Sequence, residues 1–209
     1  MFTLIKREIR DHIVYFLGAA VLMAILIAIV IVLAFQIGRG DSIVYIGLSL
    51  PVIVILMIGF SAMGVSQMYT DRARKISAFL SILPVSRNQI LLARIVTGIL
   101  AILTVFLPLI ATCMALRYLF APPIPVLSSI IYDIFIVVFL LGLACYFLGL
   151  MTGWTTSKIA PAMACLVLTF ILSSLIIVKG FGLCIKGILI LFIIVCLIRT
   201  WQKYTSTSL

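Results

Sequence analysis

Few side chains in this sequence could carry out chemistry on a substrate. It contains one histidine, His12, and five acids, which are Glu8, Asp11, Asp41, Asp71 and Asp133. An HExxH zinc site requires two histidines, and a Ser–His pair would require His12, which lies among charged residues before the first apolar stretch. No second carboxylate accompanies Asp133 to form an acid–base pair. We therefore predict that the chain is not an enzyme and holds no metal or cofactor of its own.

Asp133 is the acid whose position requires an explanation, because it lies within a long apolar stretch. An ionisable residue inside a membrane span is a candidate for function, such as ion coupling. The alternative is structural: Asp133 follows Ser128 and Ser129 closely, and the N-terminus of a helix stabilises a carboxylate. We prefer the structural interpretation. For His12, a place at the membrane surface is preferred to a role in proton transfer.

The cysteines give no sign of a metal site or of disulfide bonds. All five lie singly in or beside apolar stretches and none forms a CxxC pair; they are Cys113, Cys145, Cys165, Cys184 and Cys196. Free cysteine commonly serves as a small buried apolar side chain. This is the interpretation we adopt for all of them.

The composition indicates a protein that is surrounded by lipid. Hydrophobic residues make up 66% of the chain and charged residues only 10%, whereas a soluble domain has about 25% charged residues. In lipid the backbone must satisfy its own hydrogen bonds, which leaves helices or closed barrels. Strands of a barrel would alternate apolar and polar residues, but this sequence has long uninterrupted apolar stretches. The predicted fold class is therefore an all-α integral membrane protein.

Six apolar stretches are each near the length of about 20 residues that a bilayer requires. They cover residues 14–36, 43–68, 90–116, 129–152, 159–178 and 184–200. We predict a single transmembrane domain, 1–209, that forms a bundle of six helices. Lys186 interrupts the last stretch, so a five-helix protein with a C-terminal surface segment is the alternative.

The distribution of basic residues predicts the orientation. With six spans, eleven basic residues fall on the side of both termini: Lys6, Arg7, Arg10, Arg72, Arg74, Lys75, Arg87, Arg94, Lys158, Arg199 and Lys203. Four fall on the other side: Arg39, Arg117, Lys179 and Lys186. Basic residues favour the cytoplasmic side, which places both termini in the cytoplasm of a cell-membrane protein. Topology and anionic lipid thus account for the net charge of +10, and no nucleic-acid partner is required.

Residues 69–89 form the longest polar connection and have a helical pattern of their own. The apolar residues are spaced i, i+3, i+4 and i+7, at Ile76, Phe79, Leu80 and Leu83, which predicts a short amphipathic helix. Pro84 ends it, and Ser86 with Gln89 is the capping box of the next helix. The helix is either a linker that lies on the membrane surface or a docking element for a cytoplasmic partner.

The sequence FLSILPVSRNQILLAR at 79–94 resembles the loop after the second span of ABC-2-type ABC transporter permeases. Asp71 lies where that family often has an acid. The N-terminal residues Phe2, Ile5, Ile9 and Ile13 share one face, which resembles the family's N-terminal interfacial helix. Two features differ from the family pattern: Ile76-Ser77-Ala78 replaces the usual glycine and glutamate, and residues 179–183 are too short for re-entrant helices.

The resemblance implies the permease subunit of a bacterial exporter. Few charged residues in the spans favour an apolar or amphipathic substrate. The subunit would pair with a second permease subunit, identical or related, and with two copies of an ATP-binding subunit that bind ATP and Mg²⁺. This sequence has no GxxxxGK[ST] phosphate loop, in keeping with ATP hydrolysis by a separate chain. The resemblance assigns the coupling role to Asp71, Ile76, Phe79, Leu80, Leu83, Pro84, Val85, Ser86 and Arg87. Two other classes remain open: a structural subunit without transport, and a small secondary carrier that is ion-coupled through Asp133.

Small residues at a spacing of four predict close helix packing. They are Ala20, Ala24 and Ala28 in the first stretch, and Gly149 and Gly153 at the end of the fourth. The alanines could face another helix of this chain or a second copy. Hydroxyl side chains in the spans could line a pathway, but we expect them to bond carbonyls of their own helices; they are Thr104, Thr112, Thr169, Ser173 and Ser174.

Overall fold

The described part of the chain forms five long helices. The computed structural model describes residues 10, 13–36, 42–73, 87–120, 125–153, 163, 167–168, 170–171, 174 and 182–206. The helices are α1 (Ile13–Gln36), α2 (Ser42–Ala73), α3 (Arg87–Phe120), α4 (Pro125–Thr152) and α5 (Leu183–Ser206). Within these ranges there is no strand. All five helices are long and apolar enough to cross a membrane, which identifies a multi-pass helical membrane protein.

The five helices coincide with five of the six predicted spans. The remaining one, 159–178, lies mostly outside the described residues. Those of its residues that are described are all helical; they are Met163, Val167, Leu168, Phe170, Ile171 and Ser174. The last helix continues without a break through Lys186 to Ser206, so this lysine does not divide it.

Two helix starts show how local sequence sets the boundaries. α3 begins at Arg87, directly after Ser86, where the capping pattern predicted a start. α4 begins at Pro125 rather than near residue 129. Proline suits the first position of a helix, because its φ is already helical and its missing N–H has no intrahelical partner there.

α2 and α4 run parallel, as the residues that meet along them show. A Cβ added to Gly142 would lie 3.6 Å from the Phe60 ring, and one added to Gly153 would lie 2.8 Å from Met68 Cβ. The residue numbers rise together along both helices. The chain therefore crosses the bundle once between them, through α3.

α3 runs antiparallel to α4. Near the start of α3, the Arg94 carbonyl oxygen lies 2.8 Å from the Tyr146 hydroxyl oxygen. Further along, the rings of Phe106 and Phe139 meet edge to face with their centroids 5.7 Å apart. The numbers thus rise along α3 as they fall along α4.

α5 runs parallel to α4. Asp133 lies early in α4 and pairs with Lys186, which lies in the first turn of α5. α5 is buried at intervals along its length, at Ile185, Leu189, Cys196 and Thr200. The part of α5 that follows Lys186 therefore packs along the part of α4 that follows Asp133. The ends of α2, α4 and α5 and the start of α3 consequently share one end of the bundle.

The core lies between α2, α3, α4 and α5, and α1 is peripheral to it. The largest buried apolar side chains include Met57, Leu91, Ile102, Tyr146 and Leu150. In α1, Leu26 is the buried residue among those whose side chains are described. The α1 side chains that face away from the core are available to lipid.

Candidate functional site

The 69–89 connection is held between the end of α2 and the start of α3. Of the residues assigned to coupling, seven lie outside the described part of the chain: Ile76, Phe79, Leu80, Leu83, Pro84, Val85 and Ser86. Asp71 belongs to the last turn of α2, and Arg87 is the first residue of α3. The described structure therefore shows the two helix ends that this connection joins.

About two turns from these helix ends lies a buried polar group of residues, which we call the root cluster. It consists of Gln67 and Met68 on α2, Arg94 and Thr97 on α3, and Tyr146 on α4, each at most 3% exposed. Sequence reasoning missed the cluster. Its members lie far apart in the chain, and their meeting depends on how three helices are rotated.

Tyr146 links all three helices through its hydroxyl group. The hydroxyl oxygen lies 2.7 Å from Gln67 Oε1 and 2.8 Å from the Arg94 carbonyl oxygen. A tyrosine hydroxyl has one proton, so it can donate to only one of these acceptors. With the Gln67 amide rotated by 180°, its NH₂ group donates to Tyr146 and the hydroxyl proton goes to Arg94.

The rotated amide also addresses a second feature of Gln67. Without this rotation, Gln67 Nε2 is buried and has no hydrogen-bond partner among the residues that the structure describes. A buried donor without a partner costs about 1–3 kcal/mol. The rotation gives this donor a partner in Tyr146, so we adopt it for the root cluster.

Arg94 brings a charge into the root cluster. It is only 2% exposed, and its Nη1 lies 3.6 Å from Met68 Sδ. Desolvating a guanidinium is costly, and ionisable residues inside a membrane protein commonly mark functional positions. The sequence already indicates a buried position for this charge, since Arg94 lies between apolar residues along the chain, among them Leu91, Ala93 and Ile95. In the sequence analysis, Arg94 is placed among the cytoplasmic basic residues and in the 79–94 resemblance, and no buried role is assigned to this residue.

Glycines bring the helix backbones close together around the cluster. A Cβ on Gly64 of α2 would lie 2.5 Å from the Tyr146 carbonyl oxygen and 2.9 Å from Leu150 N. A Cβ on Gly149 would collide with the Ser61 carbonyl, and one on Gly98 would collide with the Tyr146 ring. Larger side chains would force these helices apart, so the glycines keep α2 and α4 together.

The two small-residue patterns of the sequence have different surroundings. Gly149 and Gly153 are buried against α2. Ala20, Ala24 and Ala28 are exposed on α1. The alanine stripe therefore does not mark a contact within the described part of this chain.

Asp133 lies at the other end of the bundle and does not have the predicted environment. It follows the start of α4 by about two turns, so the terminal peptide groups, whose effect falls off within the first turn, are too far away to stabilise it. Its Oδ1 accepts a hydrogen bond from Lys186 Nζ at 2.5 Å. The helix-terminus interpretation therefore fails because the helix begins earlier than predicted. The partner of Asp133 is a lysine of α5.

Hydroxyl side chains in the spans bond carbonyls of their own helices. Thr104 donates to the Ala101 carbonyl at 2.7 Å, and Thr112 donates to the Pro108 carbonyl at 2.8 Å. Ser174 donates to the Ile171 carbonyl at 2.9 Å. The expected bonding is confirmed at these three positions, whereas Thr169 and Ser173 lie outside the described residues.

The other groups that could take part in chemistry are potential metal ligands and cysteines. No group of three His, Cys, Asp or Glu residues that could hold a metal ion occurs in the described part of the chain. No disulfide bond joins any two of the four described cysteines, which are Cys113, Cys145, Cys184 and Cys196. The root cluster joins α2, α3 and α4 about two turns from the ends of α2 and α3 that flank the 74–86 segment.

No protein-family model, no curated protein and no solved structure matches this chain.

Proposed function

We propose that this chain is the membrane-spanning permease subunit of an ATP-driven transporter of the ABC-2 type. The observation that carries the proposal is the position of the root cluster. Gln67 and Arg94 flank the 74–86 segment on α2 and α3, and both are bonded to Tyr146 of α4. A displacement of the 74–86 segment would therefore be transmitted to α2, α3 and α4. The resemblance of residues 71–94 to the coupling loop of such permeases is the second support.

The proposed topology has six spans with both termini in the cytoplasm. Its support is the parallel course of α4 and α5, which the pairing of Asp133 with Lys186 requires. If α4 crosses the membrane, residues 154–181 must return across it before α5 can begin beside the start of α4. That segment contains the apolar stretch 159–178. The end of the bundle that α2, α4 and α5 share then carries Arg199 and Lys203, as a cytoplasmic end should.

In this mechanism the chain provides the pathway and its partners provide the energy. Two ATP-binding subunits bind ATP and Mg²⁺, and each docks on one permease subunit. The amphipathic helix that the sequence predicts at 76–83 would receive their movement through Leu80 and Leu83, and Pro84-Val85-Ser86 would set its angle to α3. The root cluster passes the movement to α4. Few charges occur in the spans, which favours an apolar or amphipathic substrate.

Docking can be tested by recovery of the ATP-binding subunit with tagged chain from native membranes. Mass spectrometry would identify it by a GxxxxGK[ST] phosphate loop. The variant Leu80→Asp/Leu83→Asp should lose this subunit, because it introduces two charges at an apolar contact.

The matched control is Ser77→Asp/Ser81→Asp. It adds the same two charges to the same predicted helix, about 100–140° away from the apolar face. The control should keep the ATP-binding subunit. Equal recovery with both variants would contradict docking through Leu80 and Leu83.

The ion pair of Asp133 and Lys186 favours one other function, that of an ion-coupled secondary carrier. Charged pairs inside membrane proteins often belong to proton or ion pathways. In such a carrier, Asp133→Asn would abolish transport while the protein stays assembled. In the proposed ABC permease, Asp133→Asn should still transport substrate and should still be coupled to ATP hydrolysis by the partner.

A further inference from the structure

Three features that weaken a helix occur together in one turn of α3. Thr97 Oγ1 donates to the Ala93 carbonyl at 2.8 Å, which is a back-bond that bends helices. The next carbonyl, that of Arg94, is 2.8 Å from the Tyr146 hydroxyl oxygen. Gly98, whose N–H bonds this same Arg94 carbonyl in a regular α-helix, has no side chain and lies under the Tyr146 ring.

The Tyr146 hydroxyl lowers the free-energy cost of opening this turn of α3. When a helix bends, its i→i−4 hydrogen bond is lost, and inside a membrane an unpaired carbonyl is very unfavourable. Here the Arg94 carbonyl keeps the Tyr146 hydroxyl as a partner after the Gly98 N–H has left. The Gly98 N–H can shift to the Ile95 carbonyl as the turn tightens to 3₁₀ geometry.

We propose that α3 bends at Arg94–Gly98 and that Tyr146 is the residue that makes the bent conformation accessible. The turns of α3 before Arg94 then move with the 74–86 segment, while the helix beyond Gly98 stays with the bundle. The hinge itself stands on the described contacts, and its use in coupling rests on the proposed function. Both conformations are populated in the nucleotide-free chain.

Pro108 is a second position at which α3 is weakened, because proline has no N–H to donate to the carbonyl four residues earlier. It lies about 21 Å along the helix from Arg94, far from the 74–86 segment. Thr112, on the following turn, already bonds the Pro108 carbonyl. Pro108 therefore serves as the comparison site for the hinge.

The hinge can be measured by electron-spin distance measurements on spin-labelled chain in nanodiscs, with the native cysteines replaced. One label pair, Asn88→Cys with Ile198→Cys, reports the part of α3 before the hinge. The second pair, Leu107→Cys with Ile198→Cys, reports the part beyond it. These three positions are exposed. Asn88 lies about 9 Å along the helix from Arg94, so a bend of about 20–30° displaces it by about 3–5 Å.

We expect two distance components for the first pair and one for the second. Tyr146→Phe keeps the ring but removes the hydroxyl group, and it should reduce the first pair to one component. Pro108→Ala should leave both components in place. A single component for the first pair in the unmodified chain would overturn the hinge. Two components that persist in Tyr146→Phe would overturn the role of Tyr146.

Two further results would also count against the proposal. Loss of the second component in Pro108→Ala would move the bend to Pro108. A shift of the second pair in Tyr146→Phe would mean that the whole bundle rearranges. The measurement needs no ATP-binding subunit, so failure of the ABC proposal and failure of the hinge give separate results.

Discussion

Lys186 Nζ lies 2.5 Å from Asp133 Oδ1, and this bond joins the first turn of α5 to the third turn of α4. Both residues lie near the start of their helices, so the bond sets α5 parallel to α4. It also neutralises two charges where the Lys186 side chain is 18% exposed and that of Asp133 is 41% exposed. The pair therefore contributes both to the register of two helices and to their place in the membrane.

We expect Asp133→Asn to lower the free energy of unfolding by about 1–3 kcal/mol, because it leaves the mostly buried Lys186 ammonium without its anion. The partial exposure of Asp133 keeps the loss below the 3–5 kcal/mol of a fully buried pair. Thermal unfolding in detergent would measure it. The exchanged variant Asp133→Lys/Lys186→Asp should recover most of the loss. Additive losses from the two single exchanges would contradict the pairing.

The parallel course of α4 and α5 predicts which side of the membrane Cys184 faces. With Cys184 as the sole cysteine, an impermeant maleimide should label it from outside intact cells. A cysteine at position 75 should react only after the cells are opened. Gly40→Cys and Pro123→Cys are the external controls. Labelling of Cys184 from the cytoplasm alone would rule out the six-span topology.

Gly64 and Gly59 offer a matched pair on α2. A Cβ at Gly64 would meet the α4 backbone at 2.5 and 2.9 Å, whereas one at Gly59 would meet nothing within 4 Å. We expect Gly64→Ala to destabilise the protein by about 1–3 kcal/mol through overpacking. Gly59→Ala should be neutral or stabilising by up to about 1 kcal/mol, since alanine favours helix. Equal melting temperatures for the two variants would contradict the close contact of α2 and α4.

The Tyr146 hydroxyl should contribute to stability through the groups it bonds. Tyr146→Phe leaves the Gln67 amide without this partner, so we expect a loss of about 1–3 kcal/mol. Adding Gln67→Leu removes the stranded amide, and the double variant should be more stable than Tyr146→Phe alone. Both can be followed by thermal unfolding. A double variant that loses the sum of the two single losses would show that Gln67 and Tyr146 are not bonded.

The positions of the described helices could be predicted from the sequence, because the length and polarity of a span are local properties. The start of α3 could also be predicted from local sequence, since Ser86 and Gln89 form a capping box around the first residues of the helix. The apolar stretch 129–152 predicts a later start for α4 than the observed Pro125. Pro125 was available as a better signal.

The root cluster could not be predicted, because its contacts depend on tertiary structure. Nothing near Tyr146 in the sequence indicates that its hydroxyl group meets Gln67 on α2 and the backbone of Arg94 on α3. The same holds for Lys186, whose pairing with Asp133 of another helix no local pattern indicates. Helix rotation decides such contacts, and helices that are apolar on all sides leave rotation undetermined.

The proposed function is tested most directly by the rate of ATP hydrolysis of the purified ATP-binding subunit. The rate would be measured with Mg²⁺ and ATP, with and without this chain in nanodiscs. We predict that the unmodified chain stimulates hydrolysis several-fold and that Ser77→Asp/Ser81→Asp does the same. Leu80→Asp/Leu83→Asp should give the rate of the ATP-binding subunit alone. Identical rates with and without the unmodified chain would contradict its assignment as an ABC permease subunit.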